Sequence, residues 1–116
     1  MRHRKETRKL GRNKGQRHLL VRNLIRSVFL HGKIKVSLVR AKRIKADVEH
    51  IITLAKKGDL ASRRNAIALL NDAKVVNKIF AEAEVFKTRS GGYTQILKLG
   101  VRPGDGCEMS IMQLLK

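Results

Sequence analysis

Residues 37–58 read SLVRAKRIKADVEHIITLAKKG, and this stretch decides the fold. Leu38, Ala41, Ile44, Val48, Ile51 and Ala55 recur at steps of three and four residues. That is the period of a helix with one apolar stripe. Ser37 is placed to cap its start, and Gly58 to follow its last turn at Lys57. At about 1.5 Å per residue the helix spans roughly 30 Å, the width of a small domain. Its first half carries Arg40, Lys42, Arg43 and Lys45. Cations there oppose the helix dipole, and a nearby phosphate would offset that cost.

Outward from this helix, toward the N-terminus, Lys33-Ile-Lys-Val36 alternates polar and apolar and predicts a short half-buried strand. Before it, Leu19, Leu20, Leu24, Ile25, Val28 and Phe29 predict a helix over 16–31 that ends at Gly32. Residues 1–15 hold few apolar side chains and are interrupted by Gly11 and Gly15. Such a segment cannot bury enough surface to order itself in water. It reads as a basic arm that orders on a polyanion, with a reach of roughly 50 Å when extended.

On the C-terminal side, Asp59 and Asp72 predict two helix caps, with helices over 60–70 and 73–85. Leu60, Ile67 and Leu70 are expected inside in the first, and Val75, Val76, Ile79, Phe80 and Ala83 in the second. A loop over 86–92 holds Gly91-Gly92. Strands over 93–102 and 107–115 flank the turn Pro103-Gly104-Asp105-Gly106. The expected order is α-β-α-α-α-β-β. This is a two-layer α+β domain over 16–116, with a small mixed sheet covered by helices and the basic arm over 1–15.

Composition narrows the function. The chain has 116 residues, 27 Lys plus Arg and 9 Asp plus Glu, giving a formal charge of +18. Residues 1–26 contain ten of those cations against Glu6 alone. A small body so charged calls for an anionic partner, and nucleic acid supplies one phosphate per nucleotide. No stretch approaches the roughly 18 apolar residues of a membrane helix, and the basic arm has almost no apolar face to insert into a bilayer surface. No signal-peptide pattern opens the chain. A lone cysteine, Cys107, fits a reducing compartment.

Chemistry of the catalytic kind is not indicated. His3, His18, His31 and His50 have no partner at metal-ligand spacing, so no metal is expected. The carboxylates are scattered, and no phosphate-cradling or nucleotide-binding fingerprint occurs, so neither a cofactor nor a small-molecule substrate is expected. Aromatics amount to three Phe and one Tyr, too few for a surface that stacks single-stranded bases. Only Tyr93 is a candidate for stacking. Recognition through backbone charge and shape fits better than base readout.

Several segments resemble the seventeenth protein family of the bacterial-type large ribosomal subunit. They are Met-Arg-His-Arg-Lys at 1–5, Leu-Gly-Arg at 10–12, His18 with Arg22-Asn23-Leu24, and Ala41-Lys42. Ile52-Thr-Leu-Ala-Lys56, Arg63-Arg64, Gly91-Gly-Tyr-Thr94 and Arg102 with Gly104-Asp105 extend the likeness to the last strand. The chain departs where the family usually has arginine after GGYT, here Gln95. It departs again where the family commonly has threonines, here Val36 and Ser37. The resemblance implies a non-enzymatic component of the large subunit in the cytoplasm. Its partners would be large-subunit ribosomal RNA and neighbouring ribosomal proteins, near the nascent-peptide exit side.

The expected RNA contacts in the arm and first helix are Arg2, His3, Arg4, Lys5, Arg8, Lys9, Arg12, Lys14, Arg17, His18 and Arg22. On the body they are Lys35, Arg40, Arg43, Arg89, Tyr93 and Arg102. A DNA-architectural protein and a ribosome assembly factor are the rival readings. The first lacks an apolar wedge on its arm, and an RNA-modifying factor would need an acid, base or cofactor site.

Overall fold

The long helix runs through the middle of the molecule. The computed structural model describes His3 and residues 8–116. In it the elements are α1 (Lys14–His31), β1 (Lys33–Ser37), α2 (Leu38–Lys57), α3 (Leu60–Leu70), α4 (Ala73–Ala81), β2 (Thr94–Val101) and β3 (Glu108–Leu114). A 3-10 turn, Ala83–Phe86, follows α4. Helix α2 packs against each of the other three helices and all three strands. Its buried side chains are Leu38, Ala41, Ile44, Val48, Ile51, Ile52, Leu54 and Ala55. Burying a Val, Leu or Ile side chain contributes about 1.5–3 kcal/mol, so this stripe is the largest single apolar contribution to the core.

Caps fix where the helices begin and end. Asn13 accepts from the Gln16 N–H at 2.9 Å, so α1 starts at Lys14, two residues before the expected start. Asp59 accepts from Ser62 N–H, and Asp72 from the Lys74 and Val75 N–H groups. Ser37 has the extended backbone of a cap residue, yet its hydroxyl makes no cap bond. Gly58 adopts φ 70°, and its N–H closes α2 on the Leu54 carbonyl at 3.2 Å. A side chain with a Cβ would be strained in that left-handed conformation.

The three strands form one sheet in the order β1-β3-β2, and both pairings are antiparallel. The expected mixed sheet is therefore corrected. A parallel pair would need a crossover between its strands. Here β2 turns straight back into β3, and β1 enters on the far side of β3 in the opposite sense. Met112 lies at the centre of the sheet, opposite Ile34 on β1 and Ile96 on β2, and is fully buried. Beside it the buried Ser110 hydroxyl donates to the Val36 carbonyl at 3.1 Å. Thr94 donates to Glu49 Oε1 at 2.9 Å and pins β2 to α2. A bulge falls at Lys98–Gly100, where Gly100 has φ 106°. The bulge twists the exposed edge of β2.

Two side chains expected inside are exposed, and others, Phe80 among them, are only partly buried against the core. Leu19 is exposed, because the buried stripe of α1 is Val21, Ile25, Val28 and Phe29, rotated away from it. Leu60 is exposed, because α3 meets the core through the small residues Ser62 and Ala66, with Leu70. Phe80 is half-buried beneath Arg63, whose guanidinium carbon stands 4.7 Å from the ring centroid. Helix α4 stops at Ala81 rather than 85. Ala83 and Phe86 are still buried, through the 3-10 turn.

Candidate nucleic-acid interface

Between Arg8 and Lys45 the sequence carries thirteen Lys and Arg and no carboxylate. The fold gathers this run. It comprises the residues before α1, all of α1, β1 and the first half of α2, and these three elements pack on one another. Among the described residues, ion pairs engage only two of the thirteen. Arg26 pairs with Asp72 at 3.6 Å and Arg43 with Asp47 at 3.1 Å.

The carboxylates of the body are occupied locally. Asp59 and Asp72 cap helices, Glu49 holds Thr94, and Glu82 pairs with Lys116 at 3.3 Å. The hydrogen bonds from the Ser62 side chain and backbone hold the Asp59 carboxyl below its usual range. Among the described residues the positive field of residues 8–45 is therefore compensated only in small part, at Arg26 and Arg43.

Two grooves bring expected contacts together. In the first, of about 250 Å³, His18 and Arg22 on α1 face Arg43 on α2, and Asp47 and His50 complete the rim. Arg22 is held there by its Nε–H, which donates to the Leu69 carbonyl at 3.1 Å in the last turn of α3. That turn has carbonyls without helical partners, so a guanidinium suits it. The second groove, of about 370 Å³, joins Lys35 on β1 with Arg102 after β2. Lys35 and Lys33 alternate onto the sheet face turned away from the helices, beside Ile111 and Gln113 of β3.

The remaining expected contacts are dispersed. Arg8, Lys9 and Lys14 are exposed, and Arg17 and Arg40 half-buried. Arg12 donates from Nη1 to the Leu10 carbonyl at 3.0 Å. His3 is exposed. Arg2, Arg4 and Lys5 lie outside the described residues. Arg89 is exposed in the loop before β2, and its carbonyl accepts from Lys56 Nζ at 2.6 Å.

Two expected contacts are altered by their surroundings. Tyr93 is 3% exposed, with its hydroxyl bonded to Lys56 and its ring edge-on to Phe86, so it cannot stack on a base. The aromatic follows a glycine pair that looks like a binding loop in the sequence, but the ring turns inward to fill the core. Arg102 donates from Nε to Asp105 Oδ1 at 2.9 Å and from Nη2 to Oδ2. This fork raises the guanidinium pKa and draws the Asp105 carboxyl down to about 2, aided by the Cys107 N–H. The Arg102 charge is thereby paired within the turn.

Sequence reasoning missed Asp47 and His50 as parts of the first groove. They stand four and seven residues after Arg43, on the same face of α2, and that spacing was the available signal. Among the described residues, no three His, Cys, Asp or Glu side chains are grouped to hold a metal, and no helix is long and apolar enough to cross a membrane.

Comparison with known proteins agrees with this basic architecture. Residues 20–115 match the family described as Ribosomal protein L17. The large ribosomal subunit protein bL17 of Finegoldia magna is 49% identical over 109 residues, covering 93% of this chain and 83% of that protein. The bL17 of Moorella thermoacetica is 47% identical, with 93% and 97% covered. The bL17 of Desulfosudis oleivorans is 44% identical over 116 residues, 99% of this chain, which spans only 56% of that longer relative. With a match across most of its length, and identities well above those of chance likeness, the chain belongs to the ribosomal protein L17 family.

Proposed function

We propose that this protein is a structural constituent of the large ribosomal subunit, in the cytoplasm, that binds large-subunit ribosomal RNA through phosphate contacts and stabilises its fold. The observation that carries the reading is the acid-free run of thirteen cations from Arg8 to Lys45, of which two are ion-paired among the described residues. Family membership supports the ribosomal role and a structural rather than enzymatic one. The segment before α1 and the exposed faces of α1, β1 and α2 neutralise phosphates that would otherwise repel as RNA helices pack. The arm over 1–15 acts with a single body over 16–116, and neighbouring ribosomal proteins adjoin the remaining surface.

Helix α1 begins at Lys14 under the Asn13 cap, so a deletion of residues 2–12 leaves that cap in place. The test is sedimentation of a cell lysate on a sucrose gradient, before and after a high-salt wash, with the full chain and the 2–12 deletion. The full chain is expected at one copy per large subunit, resistant to salt, and the deletion is expected to be depleted. Substoichiometric presence confined to immature particles would identify an assembly factor instead. Absence from ribosomal fractions, with comparable affinity for any duplex, would favour the DNA-architectural reading.

A further inference from the structure

The groove between α1, α2 and the end of α3 has more than charge in it. Its floor is aliphatic, built from Val21, Ile25 and Ile51. Cations rim it, and within that rim stands Asp47, the first carboxylate after the acid-free run. A groove made only to hold phosphate would gain nothing from an acid, which repels the ligand. Arg43 fixes this carboxylate through Nη1 to Oδ2 at 3.1 Å. A carboxylate has about four lone-pair sites, so it retains capacity to accept from a ligand. The volume of about 250 Å³ falls below the range of about 300–1,000 Å³ typical of pockets for drug-sized molecules. It suits one planar base and not a whole cofactor.

We propose that this groove receives a single unstacked guanine of the bound RNA. The base lies on Val21, Ile25 and Ile51, its N1–H and N2–H donate to Asp47, and its phosphate meets His18 and Arg22. Guanine presents two adjacent donors on one edge, which match the two oxygens of a carboxylate. Adenine offers a donor beside an acceptor, and uracil a donor between two acceptors, so neither satisfies Asp47 equally. Splayed bases from single-stranded regions are the elements that proteins read by hydrogen bonding in RNA, which the aliphatic floor and fixed acid would permit without an aromatic. The assignment rests on the RNA-binding reading above and names one nucleotide of that partner.

The experiment uses the isotope-labelled full chain and three probes: GMP, AMP and ribose 5-phosphate. Amide shifts of Val21, Ile51 and Ala68 are followed by nuclear magnetic resonance. GMP is expected to bind about tenfold more tightly than AMP, the order of discrimination of a two-point base contact. Asp47→Asn is expected to abolish that preference, while ribose 5-phosphate binds at least as well as to the wild type, because the substitution removes a charge that repels phosphate and releases Arg43. Ala68→Trp, at an exposed position on the groove wall, is expected to block GMP by occupying the space. Equal affinities for GMP and AMP, shifts outside the groove, or no shifts at all would overturn the assignment. Affinity of the same preparation for large-subunit RNA separates the two readings. If RNA binds with steep salt dependence while GMP shows no preference, the guanine site falls and the ribosomal role stands. If RNA does not bind, both fall.

Discussion

Lys56 Nζ donates to the Tyr93 hydroxyl at 2.7 Å and stands 5.0 Å from the centre of the same ring. One ammonium thus joins the last turn of α2 to the residue just before β2, across 37 positions of sequence. The same Nζ also donates to the Arg89 carbonyl at 2.6 Å. A cation in the last turn of a helix complements its dipole, so Lys56 serves three partners at once. The loop carrying Arg89 is consequently tied to the core at its two ends, by Phe86 before it and Tyr93 after it.

Tyr93→Phe keeps the ring against Phe86 and removes the hydroxyl. The loss of the Lys56 bond is expected to cost about 0.5–1.5 kcal/mol, the net worth of one hydrogen bond. Urea denaturation checks this: the midpoint falls while the slope stays constant. RNA affinity is expected to be unchanged, since the ring is buried and reads no base. A loss of RNA affinity with stability intact would show that the hydroxyl, not only the fold, faces the partner.

Asp72 makes a different pair of connections. Its Oδ1 accepts from the Lys74 and Val75 N–H groups at the start of α4, and its Oδ2 faces Arg26 of α1 at 3.6 Å. Asp72→Ala removes the cap, at a cost of about 0.5–2 kcal/mol. Asp72→Asn retains a capping oxygen and loses only a partly exposed ion pair, worth about 0.2–1 kcal/mol. Thermal melts of the two variants should therefore rank wild type, Asn, Ala in descending stability. An Asn variant as weak as the Ala variant would place the main contribution in the Arg26 pair instead.

The turn at 103–106 has a titration of its own. The side-chain bonds from Arg102 depress the Asp105 pKa from 3.8 to about 2 in the folded chain. A depressed carboxyl stabilises the fold above its unfolded pKa. That contribution is complete above about pH 3.8 and disappears as the pH falls toward about 2. A carboxyl-resonance titration should place the Asp105 midpoint near 2. Arg102→Ala removes the principal cause and should return the midpoint toward 3.8, with only the Cys107 N–H still holding it down. A midpoint unmoved by that substitution would mean the backbone bond dominates.

The legible parts of the chain were those governed by short-range periodicity. Leu38, Ala41, Ile44, Val48, Ile51 and Ala55 all lie buried as their spacing requires, and Asp59 and Asp72 cap the helices that follow them. Gly32 and Gly58 end helices where expected. The illegible parts depend on what an element meets. Leu19 and Leu60 looked internal by helical spacing, but small neighbours and a rotated stripe decided the contact face instead. Strand order could not follow from local pattern, because β1 pairs with β3 across more than seventy residues. Within the candidate interface, the cations were visible as a charge run. The inward turn of Tyr93, the Arg102–Asp105 fork and the groove that collects Asp47 and His50 arise from tertiary packing.

The number of phosphates engaged can be counted one cation at a time. Each Lys or Arg that neutralises a phosphate releases counterion, so the slope of log affinity against log salt falls by about 0.7–0.9 for each contact removed. Lys14, Arg17, Lys35 and Arg40 are the sharpest cases, since no hydrogen bond or ion pair within the described chain holds their side chains. Their Gln variants should each lower the slope by about that amount and leave the urea midpoint unchanged, because surface substitutions seldom move stability beyond about 0.5 kcal/mol. Arg102→Gln is the internal contrast. Its guanidinium is already forked onto Asp105, so its removal also frees a carboxylate and should alter the slope differently from the four unpaired cations. Slopes unchanged in all four variants would take these four positions out of the phosphate footprint, and shift it to the residues before α1 and the groove at His18 and Arg22.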